Sequence, residues 1–143
     1  MSYPGAEGTV LIDTNALLDM ALDHRPDSAS ARELLERSLS GEFRIAVSTG
    51  SLKDFYYVAR RTLPEETRRG WIVFFLDVML AVGADAEACR RALDSDEPDF
   101  EDGIVRVLAE GLGADAIISR DAGAFLTSTV VKLSPKEFLS SLA

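Results

Sequence analysis

Short apolar runs alternate along this chain with longer segments whose apolar residues recur at helical spacing. Thr9 to Ile12 reads as a buried strand, and Asn15 to Leu22 as a short helix closed by the turn material His24-Arg25-Pro26. Asp27 or Ser28 is placed to cap a second helix, which carries Ala31, Leu34, Leu35 and Leu39 on one face and stops at Gly41. Arg44 to Val47 is a second strand. Ser51 to Thr62 follows as a helix with Leu52, Phe55, Tyr56 and Ala59 on one side. Pro64 opens a further helix through Trp71, Phe74, Phe75 and Val78, ahead of a third strand at Leu80 to Val82 and a short helix at Ala86 to Leu93. Pro98-Asp99 opens a helix running to Leu112 and stopped by Gly113. Ala116 to Ile118 and Val130 to Leu133 are the fourth and fifth strands, and Ser134 caps a last helix from Pro135 to Leu142.

Strands that are short, mostly apolar and separated by helices predict a mostly parallel sheet of about five strands, covered on both faces: an α/β/α architecture. Such a sheet places its ligand crevice at the carboxyl ends of the strands. Asp13 ends the first strand, and Asp121 follows the fourth after Ser119-Arg120. If those strands are neighbours, both carboxylates face one crevice. Asp54 and the pair Asp99 and Asp102 stand at helix starts. Each acid alone has a plainer account, since an aspartate in a first turn caps the helix or opposes its dipole; Thr14 and Asn15 can likewise cap the helix they open. Asp102 fits that account least, because the core-like stripe Ile104, Val107, Leu108 follows it. Gly103 beside it is a poor helix former, of use where a ligand or a neighbouring backbone comes close.

Carboxylates drawn from distant parts of a chain repel one another and are held together most easily by a divalent cation. Other chemistries have little to work with. His24 is the sole histidine and lies in a turn, and Cys89 is the sole cysteine, so there is no disulfide, thiolate zinc cluster or serine–histidine–aspartate set. No glycine-rich phosphate loop is present. Oxygen-only ligation favours Mg²⁺ or Mn²⁺.

The 143 residues fit one domain, read as residues 9–143 after a loose lead-in over residues 1–8 that has no signal-peptide pattern. With 47% hydrophobic and 27% charged residues and no membrane-length apolar run, a soluble cytoplasmic protein is expected. A net charge of −9 argues against a broad basic nucleic-acid surface, and leaves room for a small site where metal screens phosphate or for a basic protein partner.

The acids lie in runs that resemble a known family. These are Val10-Leu11-Ile12-Asp13-Thr14-Asn15 with Ala16-Leu17-Leu18-Asp19, Ser51-Leu52-Lys53-Asp54-Phe55, Asp99-Phe100-Glu101-Asp102-Gly103, and Ala114-Asp115-Ala116-Ile117-Ile118-Ser119-Arg120-Asp121, with the closing stretch Val131 to Leu139. In order and spacing they resemble the PIN domain, the nuclease fold of VapC-type bacterial toxins. The resemblance implies a Mg²⁺- or Mn²⁺-dependent ribonuclease, with Asp13, Asp102 and Asp121 as metal ligands and Asp54 standing where the family usually has glutamate. It makes Asn15 and Ser119 supporting polar residues, with Thr14 beside them and Asp99 ranked below. A place where many relatives carry aspartate is Ala124 here, before Phe125. Lys53, Arg60, Arg61 and Arg120 are candidates for the RNA backbone, although Arg60 and Arg61 equally fit a solvated helix surface. The resemblance also implies a small antitoxin partner and a homodimer. Phe55, Tyr56, Tyr57, Trp71, Phe74 and Phe75 are available for such contacts, but their helical spacing favours the core for most. Two rivals stand beside this reading: a PIN-like module that binds RNA or protein without cutting, and a receiver-type phosphotransferase, for which the late-strand lysine is missing.

Overall fold

The structure, a computed structural model, describes residues 8–142. Residues 1–7 of the expected lead-in lie outside that range; Gly8 lies within it, buried, and its carbonyl accepts the Arg44 N–H at 2.8 Å. The elements are β1 (Thr9–Ile12), α1 (Thr14–Ala21), α2 (Ser28–Leu39), β2 (Arg44–Ser48), α3 (Thr49–Val58) with a 3-10 turn (Ala59–Arg61), α4 (Glu65–Val78), β3 (Leu80–Val82), α5 (Ala86–Asp94), α6 (Phe100–Leu112), β4 (Ala116–Ile118), β5 (Lys132–Leu133) and α7 (Pro135–Ser141). Five parallel strands form one sheet in the order β3-β2-β1-β4-β5.

The pleat explains the two cores. Val10 and Ile12 of β1, with Ile45, Val47 and Ile118, face the layer of α1, α2, α3, α4 and α7; Leu11, Ala46 and Ile117 face α6. Strands buried on both faces are apolar throughout, which is why the run Val10-Leu11-Ile12 shows no alternation. The larger core takes Phe55 and Phe75, packed edge to face at 5.3 Å, while Tyr57 is exposed. Of the six aromatics considered for partner contacts, Phe55 and Phe75 are therefore core. No helix among the described residues is long and apolar enough to cross a membrane.

Several borders differ from the sequence expectation, each for a local reason. Helix α3 begins at Thr49 instead of Ser51, because the Ser48 hydroxyl caps it by accepting the Ser51 N–H at 2.9 Å. Asp54 consequently lies in the second turn, away from the first-turn dipole. Asp27 precedes α2 but makes no capping bond; its carboxylate meets Arg120 at 3.3 Å. Strand β5 is shorter than Val130 to Leu133, because Val130 turns into the core behind α6. The stretch from Ala122 to Phe125 after Asp121 forms turns and no helix, and Phe125 takes a left-handed φ of 62°. Gly113 at φ 63° stops α6, and Ser134 with Glu137 makes a reciprocal capping box on α7.

Candidate functional site

From β1 the chain builds outward through β2 to β3, then returns to the other side of β1 for β4 and β5. The order of building reverses between β1 and β4, and the crevice outside their carboxyl ends is the switch point where open α/β sheets bind ligands. Asp13 stands there, its N–H donating to the Ile118 carbonyl at 3.2 Å. Its carboxylate caps α1 by accepting the Ala16 N–H at 3.1 Å. Asp13, and neither Thr14 nor Asn15, is therefore the cap. Burial raises the Asp13 pKa, opposed by a hydrogen bond from Ser119, the Ala16 amide and the charge of Arg120.

Asp102 lies in the first turn of α6, across the crevice. Its pKa is raised to about 6, first by desolvation and then by the charges of Asp99, Asp121, Asp13 and Glu97. Carboxylates from β1, α6 and the segment after β4 thus share one field. Asp99 caps α6, accepting the Glu101 N–H at 2.7 Å, so its plain role is present alongside its place in that field. Asp121 is exposed and shapes its own turn: its carboxylate accepts the Gly123 N–H at 2.9 Å, and its N–H donates to the Ser119 hydroxyl at 3.1 Å. Lys132 donates from Nζ to the Asp121 carbonyl.

Asp54 stands slightly apart. Desolvation raises its pKa, with Lys53 lowering and Asp99 raising it, so it joins the group through Asp99. Glu101, a residue without an expected role, sits beside it. Its pKa is raised by desolvation and by Asp54 and Asp99, and its Oε2 is buried with no hydrogen-bond partner. The carboxylate rests against Gly50, where a Cβ would come within 2.8 Å of Oε2.

The basic candidates divide. Arg120 reaches the buried Asp19, with Nε 3.2 Å from Oδ2, and also Asp27. Asp19, only 1% exposed, takes Arg25 as well, at 2.6 Å, and Arg25 in turn donates to the Asn15 side-chain oxygen at 3.1 Å. Arg60 stacks on the Tyr57 ring at 3.6 Å and donates to the Tyr57 carbonyl. Lys53 and Arg61 are exposed. Asp19 had one visible signal in the sequence, an acid inside the apolar stripe Ala16-Leu17-Leu18; its arginine partners come from a loop and from beyond β4.

In chemistry the carboxylates suit a hard divalent cation: they are oxygen donors, and their mutual repulsion is what such an ion relieves. In spacing, no group of three or more histidine, cysteine or acidic side chains among the described residues is gathered closely enough to hold a metal as it stands.

A family model described as a PIN domain matches residues 9–123. Among solved structures, the chain is similar to VapC20 of Mycobacterium tuberculosis, described as a sarcin-ricin loop cleaving toxin, at 14% identity and a TM-score of 0.67 over 78% of this chain and 89% of that one. It is similar to a toxin–antitoxin complex from Klebsiella pneumoniae at 19% identity and a TM-score of 0.66, over 88% and 97% of the two chains. VapBC2 of Rickettsia felis, solved on a DNA fragment from its promoter, gives 13% identity and a TM-score of 0.66 over 88% and 98%. No curated protein sequence matches. At such identities the solved structures speak for the fold, and the family model, which spans both β1 and β4 with the acids that follow them, speaks for descent: the chain belongs to the PIN-domain family.

Proposed function

We propose that the protein is a metal-dependent endoribonuclease and the toxin of a toxin–antitoxin pair. The observation that carries this reading is the shared field of Asp13, Asp99, Asp102 and Asp121 at the switch point, in which the Asp102 pKa rises to about 6. Asp13, Asp102 and Asp121 would hold Mg²⁺ or Mn²⁺. A bound divalent ion supplies a more acidic water and neutralises charge on the scissile phosphate. Ser119 keeps the Asp13 carboxylate in place, Asn15 is fastened through Arg25, and Asp54, shorter than glutamate, orients water at the margin of the site. Lys53, beside Asp54, and Arg61 are exposed cations that would meet the RNA backbone, with Arg60 and Arg120 contributing as far as their partners Tyr57 and Asp19 release them.

An acidic chain of net charge −9 approaches RNA poorly without a cation, which fits metal dependence. The Klebsiella pneumoniae relative is by its description a toxin–antitoxin complex, which supports an antitoxin partner here; a homodimer belongs to the same reading. RNA cleavage with and without Mg²⁺, in wild type and in Asp13→Asn, tests it. Loss of cleavage on removing either the metal or the carboxylate is expected; equal activity in the variant would refute it. The open spacing of the acids favours one second reading, a PIN-domain module that binds RNA or protein without cutting. Calorimetry with Mn²⁺ separates the two, since that module binds no metal.

A further inference from the structure

Helix α4 is 14 residues long, yet Phe75 is its one fully buried residue. Trp71, Ile72, Phe74 and Val78 also pack against the larger core, each half-buried. The opposite face of such a helix is ordinarily polar. Here it carries Glu66, Arg69, Gly70, Val73, Leu76 and Asp77, all exposed, with Val73 58% and Leu76 49% accessible. Arg69, Val73 and Asp77 recur every four residues, so they form one ridge along the helix. The ridge has a cation at one end, a carboxylate at the other and an apolar side chain midway. Turned end for end about Val73, it meets a copy of itself with opposite charges matched. Arg69 faces the partner's Asp77, Asp77 faces the partner's Arg69, and Val73 faces the partner's Val73.

An interface on a twofold axis has to be self-complementary in this way. Two such ridges lie side by side when helices cross at about −50°, the commonest packing class in globular proteins. In that crossing the partner's Leu76 falls beside Arg69, Ile72 and Val73, which with Tyr56 and Glu65 line an open hollow of about 460 Å³. On the other flank stands Gly70, where an added Cβ would touch nothing, so no side chain there holds the helices apart. Charge decides what fits. The chain carries −9, so two copies repel unless they meet where charge is balanced, and Arg69 balances Asp77 along the ridge. Arg69 holds Glu65 at 3.3 Å. A guanidinium has five N–H donors and can keep that bond while taking a second carboxylate. Asp77 has no hydrogen-bond or ion-pair partner among the described residues. RNA, a polyanion, would meet Asp77 and Glu66 on this face. We propose that the ridge is an interface between two copies of the chain, packed α4 on α4 about a twofold axis at Val73. This rests on the homodimer in the reading above and on nothing at its metal site; the pairing is the same whether or not the crevice cuts RNA.

Analytical sedimentation of the full chain over a range of concentrations tests this, with circular dichroism to show that each variant is folded. Every substituted position is exposed, so the fold should survive. Val73→Glu sets two carboxylates against each other on the axis, and the dimer Kd should rise by about 100-fold, because like charges brought together at an interface are strongly opposed. Arg69→Asp alone puts an acid opposite the partner's Asp77, and Asp77→Arg alone puts a cation opposite the partner's Arg69. Each should weaken self-association by about 10-fold. Mixed together, the two variants match charge at both ends of the ridge. A heterodimer of near wild-type affinity is then expected, read by native mass spectrometry. Damage within one chain's own fold would not be rescued by a second chain. A wild-type dimer whose Kd is unchanged by Val73→Glu, or single variants whose mixture shows no rescue, overturns this face and leaves a homodimer built through another. Wild type that stays monomeric at every concentration overturns the homodimer and this face together, gives the ridge to a partner of another kind, and leaves the nuclease reading to the cleavage assay.

Discussion

Asp102 shows how the crevice trades stability for readiness to bind. Its folded pKa of about 6 lies above the ordinary value of 3.8, so the fold favours its protonated form. The stability linked to that proton is complete below the ordinary carboxylate pKa and is lost as pH rises through 6. Asn at this position carries no such charge. Without divalent metal, Asp102→Asn is expected to melt above wild type at pH 7.5 and close to it at pH 4, as read by thermal unfolding at both values. A gap that does not change with pH would contradict this assignment. Asp19 is the opposite case, a buried acid whose charge is matched by Arg25 and Arg120. Removing either arginine alone should cost about 1.5–3 kcal/mol, the worth of a hydrogen bond to a charged group. Removing both strands the carboxylate and should cost about 3–5 kcal/mol. Urea denaturation of the two single variants and the double variant measures it.

Between elements, α5 and α6 cross closely at Gly103. A Cβ at Gly103 would lie 2.8 Å from the Ala92 carbonyl oxygen and 3.1 Å from the Ala92 Cβ. The glycine next to Asp102 thus serves a neighbouring backbone, one of the two uses its sequence position allowed. Gly103→Ala gains about 1 kcal/mol of helix propensity, yet must push a backbone oxygen aside, at about 1–3 kcal/mol. Net destabilisation is expected, with α5 amides exchanging faster; a more stable variant would show that the two helices part easily. This scale also separates what was legible beforehand from what was not. Borders set by neighbouring residues read directly: Asp13 closing β1, Gly113 ending α6, Ser134 opening α7. The segment from Ala122 to Val131 did not, because its shape comes from hydrogen bonds to Glu97, Arg106 and Glu110, far away in sequence. The acids themselves were visible as types at strand ends. That Asp99 bridges Asp54 to the others, and that Glu101 settles on Gly50, depends on how α6 meets α3, and no local pattern records it.

For the molecule as a whole, the burial that raises the pKa of Asp13 and Asp102 is a cost that a bound cation would relieve. An ion that binds only the folded chain stabilises it by about 2.7 kcal/mol at a hundredfold excess over its Kd. For a chain of this size that is roughly 5–10 °C in Tm. Wild type should show that upward shift with Mn²⁺, and Asp13→Asn should lose most of it; equal shifts in both would place the ion elsewhere.

The central position of β1 has a consequence in time as well as in space. Its partner on one side, β2, follows within a few dozen residues, but its partner on the other, β4, is not made until Ala116 to Ile118. During synthesis Asp13 therefore emerges well before Asp102 and Asp121 exist to face it. Chains broken off ahead of β4 lack Asp121 and leave one edge of β1 bare. The bare edge of such a fragment is prone to pair with other strands. A ribosome making this protein completes the crevice only after β4 and the acid that follows it have been made.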